Sequence, residues 1–258
     1  MKRLTVSQIQ QKLIEISDEE DPFIAAIDQD ERKGVKQLLK RWRKHKQQEQ
    51  LLQEKFMQMT AYERKIRSEG FNCIAGIDEA GRGPLAGPVV AGAVILPKEF
   101  FLPGLDDSKK LSEKKREEYY NYIKEHAVGI GIGVIHAHEI DKINIYEATK
   151  KAMLAAIVDL KKLPDFLLID AIELTTPIAQ QSIIKGDANS VSIAAASIIA
   201  KVTRDRFMKN IDKEFPQYAF KSNMGYGTKE HLARIQKYGA SPYHRKSFAP
   251  IKNNRFVD

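Results

Sequence analysis

"CIAGIDEAGRGPLAGPVVAGAVIL", residues 73–96, is the stretch on which the fold turns. A short apolar run stops at two adjacent acids, Asp78 and Glu79, and Gly81, Arg82 and Gly83 follow. Pro84 and small residues then lead into a second apolar run, "VVAGAVIL". Both runs read as strands joined by the glycine-rich turn. The join is too short to house a parallel crossover, so the strands are expected to be antiparallel neighbours. "GRGPLA" also satisfies the letter of a G-x-G-x-x-G/A dinucleotide fingerprint, but that fingerprint must open a helix. Here it runs through proline into β-branched strand sequence, and the dinucleotide reading is rejected.

Outward from this hairpin, strand and helix patterns alternate. "LSEKKREEYYNYIKEH" predicts a helix opening at Ser112, "VGIGIGVIHA" a third strand and "YEATKKAMLAAIVDL" a helix. "DFLLIDA" and "QSIIKG" read as strands, "SVSIAAASIIAKVTRDRFMKNIDKEF" as a long helix, and "TKEHLARIQKYG" as a helix ending at Gly239. Antiparallel strands followed by strands alternating with helices predict an α/β fold, a mixed sheet flanked by helices.

Residues 1–70 differ, with little sheet-forming sequence. Val6, Ile9, Leu13 and Ile16 have helical spacing, with Thr5 or Ser7 as the cap. A longer basic helix follows, its narrow apolar stripe made by Val35, Leu38, Leu39 and Trp42. No acid interrupts residues 32–48, which Arg32, Lys33, Lys36, Lys40, Arg41, Arg43, Lys44 and Lys46 crowd. A solvated helix face and a nucleic-acid contact account for that run equally well. Residues 1–70 therefore read as a helical amino-terminal extension, and residues 71–258 as the main domain with a carboxyl-terminal helical region.

With 258 residues, 43% of them apolar, the chain can bury one substantial core plus an appendage. Its net charge of +8 fits a polyanionic partner. The single cysteine, Cys73, excludes an internal disulfide and a cysteine-rich zinc site. No apolar run reaches the ~18 residues of a membrane helix, and the amino terminus lacks the apolar core of a signal peptide. A cytoplasmic protein without a membrane partner is expected. In the absence of a clear coiled-coil seam, so is a monomer.

Asp78 and Glu79 end one strand, and Asp170 ends "FLLID". An acid after four apolar strand residues is costly in a core; its ordinary explanations are a turn cap, a salt bridge or a metal. Two strands ending this way can lie side by side and gather three carboxylates, which are stable as anions only around a cation. All-oxygen ligation selects hard divalent ions, Mg²⁺ or Mn²⁺, and Mg²⁺ draws much of its shell from water and substrate phosphate. This composition points to phosphoryl-transfer chemistry on a polyanion. Asp187 and Asp205 compete as the fourth acid. Continuous helix between them would set them roughly 27 Å apart, so only one can join. The small residues of "SIAAASIIA" favour Asp187, for which a helix N-cap is the plainer alternative.

Gly81, Gly83 and Gly87 with Ala80 and Ala86 exceed what a tight turn needs, and they let backbone approach a ligand beside the acids. Arg82 can supply a phosphate contact there. "GIDEAGRGPLAGPVVAGAVIL", "DDSKKLSEKKRE", "LLIDA", "KGDANSVSIAAASIIAKVTRDR" and "GYGTKEHL", in this order, resemble the ribonuclease HII family over about residues 71–245. The sister ribonuclease HIII type is less similar, because its turn after the acidic pair is not Gly-Arg-Gly. The resemblance implies an RNase H-like catalytic domain over 71–258. It also implies cleavage of the RNA strand of RNA/DNA hybrids, and of duplex DNA on the 5′ side of a single ribonucleotide, by two-metal-ion hydrolysis. By resemblance, Asp78, Glu79, Asp170 and Asp187 are the metal-site carboxylates, and Gly81, Arg82 and Gly83 sense the ribose 2′-hydroxyl. Tyr226 takes the junction-sensing role. Without the resemblance it would be an ordinary half-buried aromatic beside a glycine turn. Residues 1–70 look like the extension of some bacterial members.

Ser108 and Lys109 in "DDSKKLS" can bind phosphate by hydroxyl and ammonium, with capping of the next helix the equal alternative for Ser108. Asp106 and Asp107 read as loop solvation. His136, His138, Glu139 and Asp141 in "HAHEID" imitate a metal cluster, the histidines sharing one face of a strand, but no partner cluster is evident. "SPYHRKSF" reads as contact with a duplex backbone. The rival function is a noncatalytic nucleic-acid-binding protein of the same fold. Acids gathered in front of phosphate weigh against it.

Overall fold

A computed structural model describes residues 4–253 of the chain. Helices α1 (Val6–Glu15), α2 (Pro22–Asp28), α3 (Lys33–Met59) and α4 (Ala61–Ser68) come first. Strands β1 (Ile74–Ala80) and β2 (Val89–Ile95), helix α5 (Glu113–His126), strand β3 (Gly129–Ile135), helix α6 (Ala137–Asp159), and strands β4 (Phe166–Asp170) and β5 (Ala179–Ile183) follow. The chain then runs through α7 (Gly186–Asn189), α8 (Val191–Glu214), α9 (Phe220–Asn223) and α10 (Lys229–Tyr238). Among the described residues no helix is long and apolar enough to cross a membrane.

The chain divides into two compact units after Met57. In the first, Thr5 closes a capping box with Gln8, and Asp21 caps α2 ahead of Pro22. Ile9, Leu13, Ile24, Ile27, Val35 and Leu39 are buried together as its core, and Trp42 Nε1 donates to the Leu13 carbonyl at 2.9 Å. Much of the basic run is paired within this unit: Arg43 with Glu19 and Asp28, Lys36 with Glu31, and Arg32 with Asp30.

Residues 58–70, grouped with the extension on sequence, fall in the second unit. Ile66 of α4 is buried against Ile74, Phe166, Leu168, Ile183 and Ile193. The Glu63 carboxylate accepts from the Ser190 hydroxyl at 2.6 Å and from the Ser192 N–H at 3.0 Å, at the start of α8. An anion there meets the exposed N–H groups of a helix amino terminus.

The five-stranded sheet has the order β3-β2-β1-β4-β5. β1 and β2 are antiparallel, as the short join requires, and so are β2 and β3; β4 is parallel to β1, and β5 to β4. One face packs on α6 through Ala75, Ile77, Leu167 and Ile169 against Ala148, Ala152, Met153 and Ala156. On the other face α8 comes so close that a Cβ on Gly76 would collide with the Ser192 backbone, and one on Gly92 would lie 2.6 Å from the Ala196 carbonyl. This contact explains the small residues at the start of α8. β3 ends at Ile135, so His136 is the N-cap of α6 and His138 lies within it. The expected shared strand face is absent. Asn144, at φ 64°, kinks α6, and its side chain caps the second segment through the Tyr146 and Glu147 N–H groups.

Candidate active site

β1, β4 and β5 are mutually parallel, which brings their carboxyl ends to one edge of the sheet. Ile77 pairs with Ile169, and the next residues on those strands are Asp78 and Asp170. By two-residue alternation both acids share the face of Gly76 and Leu168, which α8 covers. Asp78 is 5% exposed. It accepts from the Glu79 N–H at 2.7 Å and from the Ser197 hydroxyl of α8.

Burial, and then the Glu79 charge, push the Asp78 carboxyl well above the ordinary carboxylate range; Asp170 adds to the repulsion. Burial also raises Glu79, against the pull of Arg82, whose guanidinium lies 3.4 Å away. Glu79 Oε2 is buried with no hydrogen-bond partner. Asp170 Oδ1 accepts from the Gly186 N–H at 2.7 Å, which ties the Asp187-bearing turn α7 to the end of β4. Asp187 is raised by burial and then by Asp107, whose carboxyl hydrogen-bonds it, and by Asp170. Burial opposes the Lys109 ammonium, but Asp107, Asp78 and Asp187 together hold its pKa up.

The four expected acids therefore share one electrostatic neighbourhood. Among the described residues, however, no three His, Cys, Asp or Glu side chains stand as a ready ligand set for one ion. Asp205 lies apart, ion-paired with Lys201 along α8.

The Gly81–Gly83 turn follows directly. Gly81 has φ 98°, and a Cβ there would collide with Arg204, so its glycine is required internally. Gly83 has no such requirement: beyond its chain neighbours, a Cβ would meet only the Tyr226 ring, at 3.9 Å. That bare spot faces the half-exposed Tyr226.

Other expectations need correction. Ser108 is 2% exposed, and its hydroxyl lies 3.0 Å from Ser197 Oγ. It is turned inward toward α8, and Ser112 rather than Ser108 caps α5. In "SPYHRKSF", His244 and Arg245 are buried, so this segment is scaffold and not a duplex-facing surface at those positions. Asp141 of "HAHEID" accepts from the Lys246 and Ser247 N–H groups, a structural tie. Sequence reasoning missed Asp107, Ser197, Arg204 and Arg245 as members of the site's surroundings. Asp107 carried a signal in its place two residues before Lys109; the others act through contacts across the fold that spacing does not encode.

Comparison with known proteins identifies the family. The family model for Ribonuclease HII matches residues 75–251, and that for the Ribonuclease HII N-terminal domain matches residues 5–67. A ribonuclease HII of Geobacillus sp. (strain WCH70) is 58% identical over 98% of this chain and 91% of its own length. That of Bacillus mycoides (strain KBAB4) is 56% identical over 98% of both. The crystal structure of ribonuclease H2 from Pyrococcus horikoshii OT3 superposes with a TM-score of 0.61 at 24% identity, over 70% of this chain and 95% of that one. Ribonuclease HII of Archaeoglobus fulgidus, solved in complex with PCNA, gives 0.54 at 27% identity over 64% of this chain and 87% of that one. The mixed sheet is thus RNase H-like, and the chain belongs to the ribonuclease HII family of endonucleolytic hydrolases.

Proposed function

We propose that this protein hydrolyses the RNA strand of RNA/DNA hybrids and cuts duplex DNA on the 5′ side of single embedded ribonucleotides, leaving 3′-hydroxyl and 5′-phosphate ends. The observation that carries the reading is Asp78: a carboxylate 5% exposed, crowded by Glu79 and Asp170, and next to a glycine turn. A buried anion among anions is disfavoured unless a cation joins it.

Asp78, Glu79, Asp170 and Asp187 are the residues that would hold two divalent cations, Mg²⁺ or Mn²⁺. Their oxygen-only donor set fits such ions, as does the unpartnered Glu79 Oε2. An incomplete protein cage suits Mg²⁺, which keeps waters and takes phosphate oxygens as ligands. When bound, the ions supply Lewis acidity at the attacking water and at the departing 3′ oxygen.

The protein's own groups orient the substrate. The exposed Lys109 ammonium, beside Asp78 and Asp187, is available to a phosphate. Arg82, half exposed, can leave Glu79 for the backbone of the scissile strand. Backbone at Gly81 to Gly83 would read the 2′-hydroxyl, the group that separates RNA from DNA at one position, and Tyr226 would pack on the following deoxyribose.

The test is cleavage of three labelled duplexes, all-DNA, DNA with one ribonucleotide and an RNA/DNA hybrid, each with Mg²⁺, Mn²⁺ or chelator. Metal-dependent cutting of the latter two, with all-DNA spared, is expected. Binding without cleavage under every metal would favour a noncatalytic protein of this fold, and cleavage of all-DNA would refute the 2′-hydroxyl reading.

A further inference from the structure

Two adjacent residues near the carboxyl end, His244 and Arg245, grip the two recognition elements from below. Arg245 is fully buried, without a carboxylate hydrogen-bonded to it. Its Nη2 donates to the Gly81 and Gly87 carbonyls at 2.6 and 2.8 Å, its Nη1 to the Arg82 carbonyl at 2.8 Å, and its Nε to the Gly87 carbonyl at 3.0 Å. Arg204 adds bonds to Pro88 and Ala86. A planar guanidinium can hold several carbonyls at fixed angles, which an ammonium cannot. Desolvating two neighbouring cations is costly, and their hydrogen bonds converge on the backbone of residues 81–88.

His244 reaches the other element. The Ser241 backbone N–H can only donate, so His244 Nδ1, 2.9 Å away, accepts and the imidazole proton sits on Nε2. That proton is donated to His231 Nε2 at 3.0 Å. His231 then carries its own proton on Nδ1, 2.8 Å from the Tyr226 carbonyl, which can only accept. Every donor and acceptor in the chain is thereby fixed, with both imidazoles neutral. Backbone bonds close the frame: the Arg245 N–H donates to Leu85, the Gly87 N–H to Tyr243, and the Leu85 N–H to Gly225.

We propose that residues 241–245 form a brace that sets the spacing between the Gly81–Gly83 turn and Tyr226. Arg245, and His244 acting through His231, are positioning residues for discrimination between ribose and deoxyribose. The proposal rests on reading those two elements as the substrate sensors. A lone ribonucleotide in DNA must satisfy both sensors at once, whereas a hybrid offers a ribose at every step of the cleaved strand. Loss of the spacing therefore penalises the lone ribonucleotide more.

The experiment measures kcat and KM of the full-length protein, of Arg245→Lys and of His244→Phe, on duplex DNA with one ribonucleotide and on an RNA/DNA hybrid. Amide hydrogen exchange at residues 81–87 and 225–228 is followed without substrate. His244→Phe keeps an aromatic ring against Tyr218 and Phe220 but removes the nitrogens. Expected is a fall of about 100-fold in kcat/KM for the lone ribonucleotide, the scale of a misplaced contact. The ratio to the hybrid should shift by about tenfold or more, and exchange should quicken in both segments in Arg245→Lys. Equal losses on both substrates would assign the two residues a merely structural role and overturn the proposal. If the unaltered protein fails to cut the lone ribonucleotide, the functional reading fails while exchange still decides the brace: quickening confined to one segment contradicts it, and quickening of both upholds it. Ser241→Ala, which removes only the hydroxyl 2.8 Å from His244 Nδ1, serves the same comparison if His244→Phe does not fold.

Discussion

The Tyr226 ring faces Gly83: its Cε1 lies 3.9 Å from where a Cβ would begin, and beyond the chain neighbours no other atom lies within 4 Å. The protein has no internal reason for glycine there. Gly83→Ala should leave stability unchanged or raise it by about 0.4–1 kcal/mol through the unfolded chain. It should cut activity on a lone ribonucleotide by about tenfold or more, since the methyl occupies the substrate's side. Gly81→Ala should instead destabilise by more than about 1 kcal/mol, because φ is 98° and Arg204 occupies the Cβ site. Thermal unfolding with the three-duplex assay separates the two.

Asp78→Asn should lose turnover by about three orders of magnitude or more yet stabilise the metal-free protein by roughly 1 kcal/mol. The folded carboxyl is raised above its ordinary value of 3.8. Its charge therefore costs stability as pH climbs from that value through the folded one, and the advantage of asparagine grows over the same window. Urea unfolding of both proteins in chelator at several pH values measures this. A less stable variant at neutral pH would contradict the electrostatic account.

His244 is lowered to about 3 by burial and then by His231, and burial lowers His231 as well. The unfolded chain takes up protons on these rings below 6.5, while in the folded chain His244 does so only near 3 and His231 only below its ordinary value. Stability from this pair is thus complete above 6.5 and falls with decreasing pH, by about 1.4 kcal/mol per unit for each imidazole while the difference persists. His244→Phe should flatten that slope between about pH 6 and pH 4. An identical slope in a chemical-denaturation series would remove the histidines as its source.

Glu63 sits at the α8 amino terminus, with Oε1 bound to Ser190 and Ser192 and Oε2 unpartnered. Glu63→Ala should destabilise the second unit by about 1–2 kcal/mol, as loss of a buried cap does. It should also loosen the neighbouring Asp187 turn. Denaturation midpoints report the first effect and amide exchange at residues 186–190 the second; unaltered exchange would separate α4 from the catalytic edge.

Pattern alone revealed the β1–β2 hairpin, the Ser112 cap, and the acids Asp78 and Asp170 that follow apolar strand residues, because each depends on neighbours in the chain. Alternation carries strand identity, turn chemistry carries antiparallel pairing, and a charge after four apolar residues is visible without a fold. The position of Asp187 was half legible: small residues announced the close α8–sheet contact, but only the Gly186–Asp170 hydrogen bond brings its turn to the site. The burial of Ser108 was not legible, because a hydroxyl in a polar loop looks outward in sequence, and Ser197, 89 residues away, turns it inward. Arg245 was misread for the same reason, since its carbonyl partners lie more than 150 residues earlier. The sequence by itself determined the elements and the chemistry of the acids, which follow from local steric and hydrophobic periodicity. Only the tertiary structure decided which charges face one another and which cations are buried, because desolvation and hydrogen-bond geometry depend on atoms brought together through space.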